Sequence, residues 1–282
     1  MQSNNPVFRR SEEFNSAGRQ TYAGTGYTDP STWSTGQPGD PGQAYTPAPP
    51  VATGGPMTID SVVQKTAISL FFVIAAAAVT WYLTPDIADP DADLGPLIAL
   101  MTIGSLGAFV LSMVNSFKRV ISPALVVAFC VAEGIALGGL SKFFDAMVGD
   151  HIVMQAVIGT FAAFVGTLAA YKFFDIKVGA RFRTFVIAAV FGMIALSLLE
   201  LVLGIFGESL GIYGMGGIGL VFAIIGLVLG VFMLILDFDF VEQGIANQIP
   251  ERESWRAAFA LTVSLVWIYT NLLRILAIVN SD

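Results

Sequence analysis

From Met57 onward the chain alternates long apolar runs with short polar breaks. Seven runs stand out, at approximately 62–84, 96–116, 121–144, 151–174, 183–207, 216–240 and 255–279. A hydrocarbon core of ~30 Å takes about 20 helical residues to cross, and each run meets that length. Lipid offers the backbone no hydrogen-bond partner, so the runs predict helices, and they are too long for tilted barrel strands. The first 56 residues follow another pattern. Gly, Pro, Ser, Thr and Asn dominate, and Phe8, Phe14, Tyr22, Tyr27, Trp33 and Tyr45 are scattered among them. Such a composition buries too little surface to offset the entropy of ordering. The expected fold is therefore an all-α polytopic membrane protein. A disordered Gly/Pro-rich tail (1–56) precedes a seven-transmembrane-helix bundle (57–282).

Composition agrees with this pattern. Of 282 residues, 55% are hydrophobic and only 12% charged, and the mean hydropathy is +0.73. The formal charge of -7 argues against nucleic acid, which calls for basic patches. The one cysteine, Cys130, lies in an apolar run and reads as a small core residue. The one histidine, His151, cannot build a histidine metal site alone and reads as a loop residue. The start of the chain lacks the basic-then-apolar pattern of a secretory signal.

Charge also orients the spans. The connection from Pro85 to Pro96 holds Asp86, Asp89, Asp91 and Asp93 and no basic residue. Lys118 and Arg119 follow the second span, Lys172, Lys177, Arg181 and Arg183 flank the fourth connection, and Arg252 and Arg256 flank the sixth. Basic residues thus alternate with loop parity, which predicts a cytoplasmic N-terminus and an outside C-terminus. Lys142 dissents, and its long stem is expected to snorkel outward. Gly134 with Gly138, and Gly226 with Gly230, stand at the spacing that lets helices approach closely. The cluster Gly211, Gly214, Gly216, Gly217 and Gly219 reads as a flexible outer connection.

Acids inside spans are costly to place and mark candidate sites. Glu133 falls near the middle of the third run and Glu200 two-thirds along the fifth, while Asp237 and Asp239 close the sixth with Glu242 just beyond. Together they imply a polar interior that could pass an ion or proton. On a regular helix Asp237 and Asp239 lie about 200° apart, so one is expected inside and the other at the interface. Asp239 shares a face with Glu242 and with Gln243. A carboxylate facing a low-dielectric interior is a candidate pH sensor. The blander reading makes Asp237 to Glu242 the wet end of a helix before a hairpin at Pro250. Ser264, Asn271 and Glu200 are lower-ranked pore-lining candidates, and Arg274 reads as a snorkelling anchor. No nucleophile elbow, zinc motif or phosphate loop is present, so an enzyme is not expected.

Several segments taken together resemble the Bax inhibitor-1 family, in its bacterial branch. They are Asn5-Pro6-Val7-Phe8, Ile121-Ser122-Pro123-Ala124-Leu125, Ala132-Glu133-Gly134 with Gly138, Leu236-Asp237-Phe238-Asp239-Phe240-Val241-Glu242-Gln243-Gly244, and Leu265-Val266-Trp267-Ile268-Tyr269 with Leu272-Leu273-Arg274. The resemblance implies a pH-sensitive calcium leak in a cell membrane, with calcium as the transported ion and no other cofactor. It also implies a hydrogen-bonded aspartate pair, one on the sixth span and one on the seventh. Asp237 or Asp239 matches the first, with Asp237 favoured. The position of the second holds Ser264. A shared-proton acid pair is then lost, and Glu133 becomes the first alternative partner to examine, on condition that the third span lies beside the sixth. The resemblance equally permits a regulatory membrane protein that binds protease or stress-response partners through its tail, for instance around Pro6-Val7-Phe8-Arg9-Arg10.

Overall fold

A computed structural model of the protein describes residues 55–85, 87, 93–149 and 151–281. The tail reading, the Pro6–Arg10 motif and Asp86, Asp89 and Asp91 lie outside these residues. Among the described residues, seven helices are long and apolar enough to cross a membrane. They are α1 (Ile59–Leu83), α2 (Gly95–Phe117), α3 (Pro123–Val148), α4 (Ile152–Phe173), α5 (Ala180–Ile205), α6 (Gly217–Ala246) and α7 (Ser254–Asn280), with a short 3-10 turn at Glu251–Glu253 before α7.

Local sequence explains the boundaries. α1 starts with a capping box, in which the Thr58 side chain accepts from the Ser61 amide and Ser61 returns the bond to Thr58, each at 3.1 Å. Pro96 and Pro123 sit in the first turns of α2 and α3, where a missing N–H costs nothing. Gly149 ends α3 at φ 76°, in the left-handed region that favours glycine. One boundary departs from expectation. α6 does not close at the Asp237–Asp239 pair but runs unbroken to Ala246, so both acids sit inside a regular helix.

α7 is the most buried span and α5 the least. α1, α3, α4 and α6 pack around α7, while α2 lies outside on α3 and α5 outside on α6. Close approach is made at the four glycines. The Val73 and Ala77 carbonyls of α1 occupy the space where a side chain at Gly134 or Gly138 would stand, and Asn271 and Ile268 of α7 do the same at Gly226 and Gly230.

The basic connections gather at one end of the bundle, as loop parity predicts. There Arg256 donates to the Arg119 carbonyl at 2.9 Å and Arg252 to the Ile121 carbonyl at 3.1 Å, which satisfies backbone acceptors beyond the end of α2. Met57 donates to the Ile249 carbonyl and Glu251 to the Gly55 carbonyl, at 2.8 and 2.9 Å, so the chain enters α1 stitched to the α6–α7 hairpin.

Three expectations at the other end change. Lys142 does not point to solvent. Its ammonium donates to the carbonyls of Trp81 and Thr84 at 2.8 and 2.7 Å, a cation on the terminal carbonyls of α1. Arg274 is no snorkelling anchor but a buried side chain that donates to the Ile212 carbonyl at 2.7 Å and lies 4.8 Å from the Tyr213 ring centroid. The glycine-rich connection is accordingly pinned rather than loose. Cys130 is buried in the core, as expected.

Candidate functional site

Because α6 stays helical through its acids, successive carboxylates turn to different neighbours. Asp237 faces α7, where the Ser264 hydroxyl donates to its Oδ2 at 2.5 Å. Asp239 faces α5 and pairs with the Arg183 guanidinium at 2.8 Å. Gln243, one turn on, also donates to Asp239, at 2.7 Å. Glu242 faces α4 and accepts from the Tyr171 hydroxyl at 2.6 Å. Between them Phe238 packs edge-on against Phe164, with centroids 5.5 Å apart.

The expected division into one inner and one interfacial acid is not what forms. Asp239 is buried at 7% exposure with its charge matched by Arg183, and Asp237 is half-buried beside a cavity. The blander reading, a wet helix end, fits the exposed Glu242, whereas Asp237 and Asp239 hold partners on α7 and α5.

The cavity measures about 360 Å³ and lies among α2, α5, α6 and α7. Its polar lining comprises Asp237, Gln243, Ser264, Arg183, Arg256 and, from α2, Ser112, Asn115 and Ser116. Most of the remaining wall is apolar, including Val186, Phe191, Met233 and Phe259. Asn115 is buried, and its Nδ2 donates to the Leu125 carbonyl at 3.1 Å. Its Oδ1 has no hydrogen-bond partner. Among the described residues the cavity is thus lined by one carboxylate, the hydroxyls of Ser112, Ser116 and Ser264 and the amides of Asn115 and Gln243, with the cationic side chains already engaged by Asp239 and Glu253. Oxygen donors of this kind suit a hard cation or water. Among the described residues no group of three His, Cys, Asp or Glu stands together as a metal site.

The other candidates lie elsewhere. Glu133 is not the partner of Asp237. α3 packs on α1, α2, α4 and α7, and Glu133 does not line the cavity. Glu200 accepts from Ser209 Oγ at 2.7 Å and from the Leu210 and Gly211 amides at 2.8 and 3.2 Å, so it organises the α5–α6 connection. Asn271 donates to the Trp267 carbonyl at 2.8 Å and fills the close approach at Gly226.

The family model described as Bax inhibitor 1 like matches residues 5–281. The chain belongs to this family. No curated protein matches it. Ser264, where the resemblance led to the expectation of a second aspartate, contacts Asp237 through its hydroxyl. Arg183 was legible in the sequence only as a topological charge. The polar face of α2 carried a signal that went unused: Ser112, Asn115 and Ser116 recur at i, i+3 and i+4.

Proposed function

We propose that this multi-pass membrane protein is a cation leak, with calcium as its ion and Asp237 as the acid that controls passage. The observation that carries the reading is the Ser264–Asp237 hydrogen bond on the wall of a cavity inside the membrane-spanning bundle. An ionisable group at such depth is expensive to keep and is by default a functional one. Asp237, Ser264, Ser112, Ser116 and Gln243 line the cavity with oxygen-bearing side chains, the ligand type calcium prefers. One carboxylate among neutral oxygens makes a weak calcium site, which favours passage over retention. Asp239 takes no direct part, because Arg183 and Gln243 engage it. The same reading seats the protein in a cell membrane with its basic end in the cytoplasm.

Liposomes loaded with a calcium-sensitive dye test this. The reconstituted protein passes Ca²⁺, and Asp237→Asn changes the rate by about tenfold or more, as expected when the one carboxylate that lines the cavity among the described residues is neutralised. Absence of flux, or an Asp237→Asn rate equal to wild type, ends the proposal.

A further inference from the structure

A second cavity, of about 630 Å³, lies at the opposite end of the bundle, in the seam between α1 and α4. α1 packs on α3 and α7, and α4 packs on α7, α6 and α3, so the seam has α3 and α7 as its floor. Along α1 its wall extends from Leu70 to Tyr82, ~18 Å at the helical rise of 1.5 Å per residue. That is about the depth of one leaflet, half of a ~30 Å hydrocarbon core. The inner part presents apolar side chains such as Leu70, Phe161 and Leu265. Its hydroxyls are engaged: Ser141 and Tyr269 bond each other at 2.6 Å, and Thr160 donates to the Ala156 carbonyl at 2.7 Å. This half of the seam therefore asks for hydrocarbon, not water.

The rim has the opposite character. Asp145, His151, Trp81 and Tyr82 line it. Asp145 is half-buried, and its carboxylate makes no hydrogen bond or ion pair among the described residues. Lys142, one turn before it, has turned its ammonium to the end of α1, with acceptors at 2.8, 2.7 and 3.3 Å. The Trp81 ring already faces the Lys142 ammonium at 5.9 Å, which leaves the Asp145 carboxylate and the Tyr82 ring, a combination that recognises an alkylammonium group.

We propose that the α1–α4 seam binds a phospholipid with an amine-bearing headgroup, one acyl chain lying in the seam and the ammonium at Asp145. An anionic glycerol headgroup would meet Asp145 with like charge, while the Lys142 ammonium at this rim, 5.9 Å from the Trp81 ring centroid, is held by the Trp81 and Thr84 carbonyls. Native mass spectrometry of the full-length protein in detergent tests this. Phosphatidylethanolamine, phosphatidylcholine and phosphatidylglycerol of matched chains are compared for retention. The two amine-bearing lipids should be retained over phosphatidylglycerol by about threefold or more, a factor typical of one exposed ionic or cation–π contact. Asp145→Asn should bring the three to parity without loss of fold. Ala78→Phe on one wall, or Val157→Phe on the other, should reduce retention of all three. Equal retention of phosphatidylglycerol by the wild type overturns the headgroup assignment. Unchanged retention in both phenylalanine variants overturns the seam.

Discussion

Ser264 on α7 donates its hydroxyl proton to Asp237 on α6 across 2.5 Å, so the acid of this cavity is paired with a group that does not itself ionise. Two coupled carboxylates titrate in two macroscopic steps, whereas a carboxylate beside a hydroxyl titrates in one. The other ionisable side chains lining the cavity are the guanidinium groups of Arg183 and Arg256. Calcium flux in liposomes should therefore follow a one-proton curve against pH. Asp237→Asn should flatten that curve, and Ser264→Asp should broaden it into two steps. A two-step curve in the wild type would show that some other acid shares the task.

The Arg183–Asp239 pair makes a separate prediction about stability. Arg183→Ala leaves a carboxylate of 7% exposure with Gln243 as its remaining partner. Removing one member of a buried pair costs about 3 kcal/mol, and about 2 kcal/mol is expected here because the arginine is partly exposed. Adding Asp239→Asn to Arg183→Ala should recover most of this by removing the unmatched charge. Thermal unfolding of the four proteins in detergent measures the cycle, and equal melting temperatures for Arg183→Ala and wild type would refute it.

The glycines divide into three groups by what stands over them. A methyl at Gly134 or Gly138 meets backbone carbonyls of α1, while one at Gly230 meets the side chains of Ile268 and Trp267, and Gly192 has nothing within 4 Å. Backbone cannot yield as a side chain can, so Gly138→Ala should destabilise by about 2 kcal/mol or more. Gly230→Ala should cost less, and Gly192→Ala should be neutral or slightly stabilising. Ranking their melting temperatures checks the order.

Glu200 separates cost from conduction. Its carboxylate holds the Ser209 hydroxyl and two amides of the α5–α6 connection. Glu200→Gln should weaken those contacts, lower the melting temperature, and leave calcium flux unchanged. A large loss of flux without loss of stability would place Glu200 on the ion path after all.

The seven spans were legible because lipid permits almost nothing else for runs of that length and polarity. The divergence of Asp237 and Asp239 was legible too, since it follows from helical periodicity alone. Pairing was not. Glu133 and Arg183 carry no local mark of which helix they face, and only packing puts α5 against α6 while turning α3 toward α1 and α2. The extension of α6 to Ala246 was obscured because charge at the end of an apolar run looks like the end of a helix. Arg274 was misread for a related reason: a cation near a span terminus is usually wet, and here a loop folds over it to accept its hydrogen bond.

The three acids of α6 are tied to α7, α5 and α4 in turn, and this limits how the bundle can move. Rotating α6 about its own axis would strain all three ties together, so α6 behaves as a fixed shaft. α2 and α5, which also wall the cavity, each rest mainly on a single neighbouring helix. Widening the cavity at Asp237 would therefore fall to these two outer helices swinging like shutters, with the Arg183–Asp239 bond as the hinge pin on the α5 side.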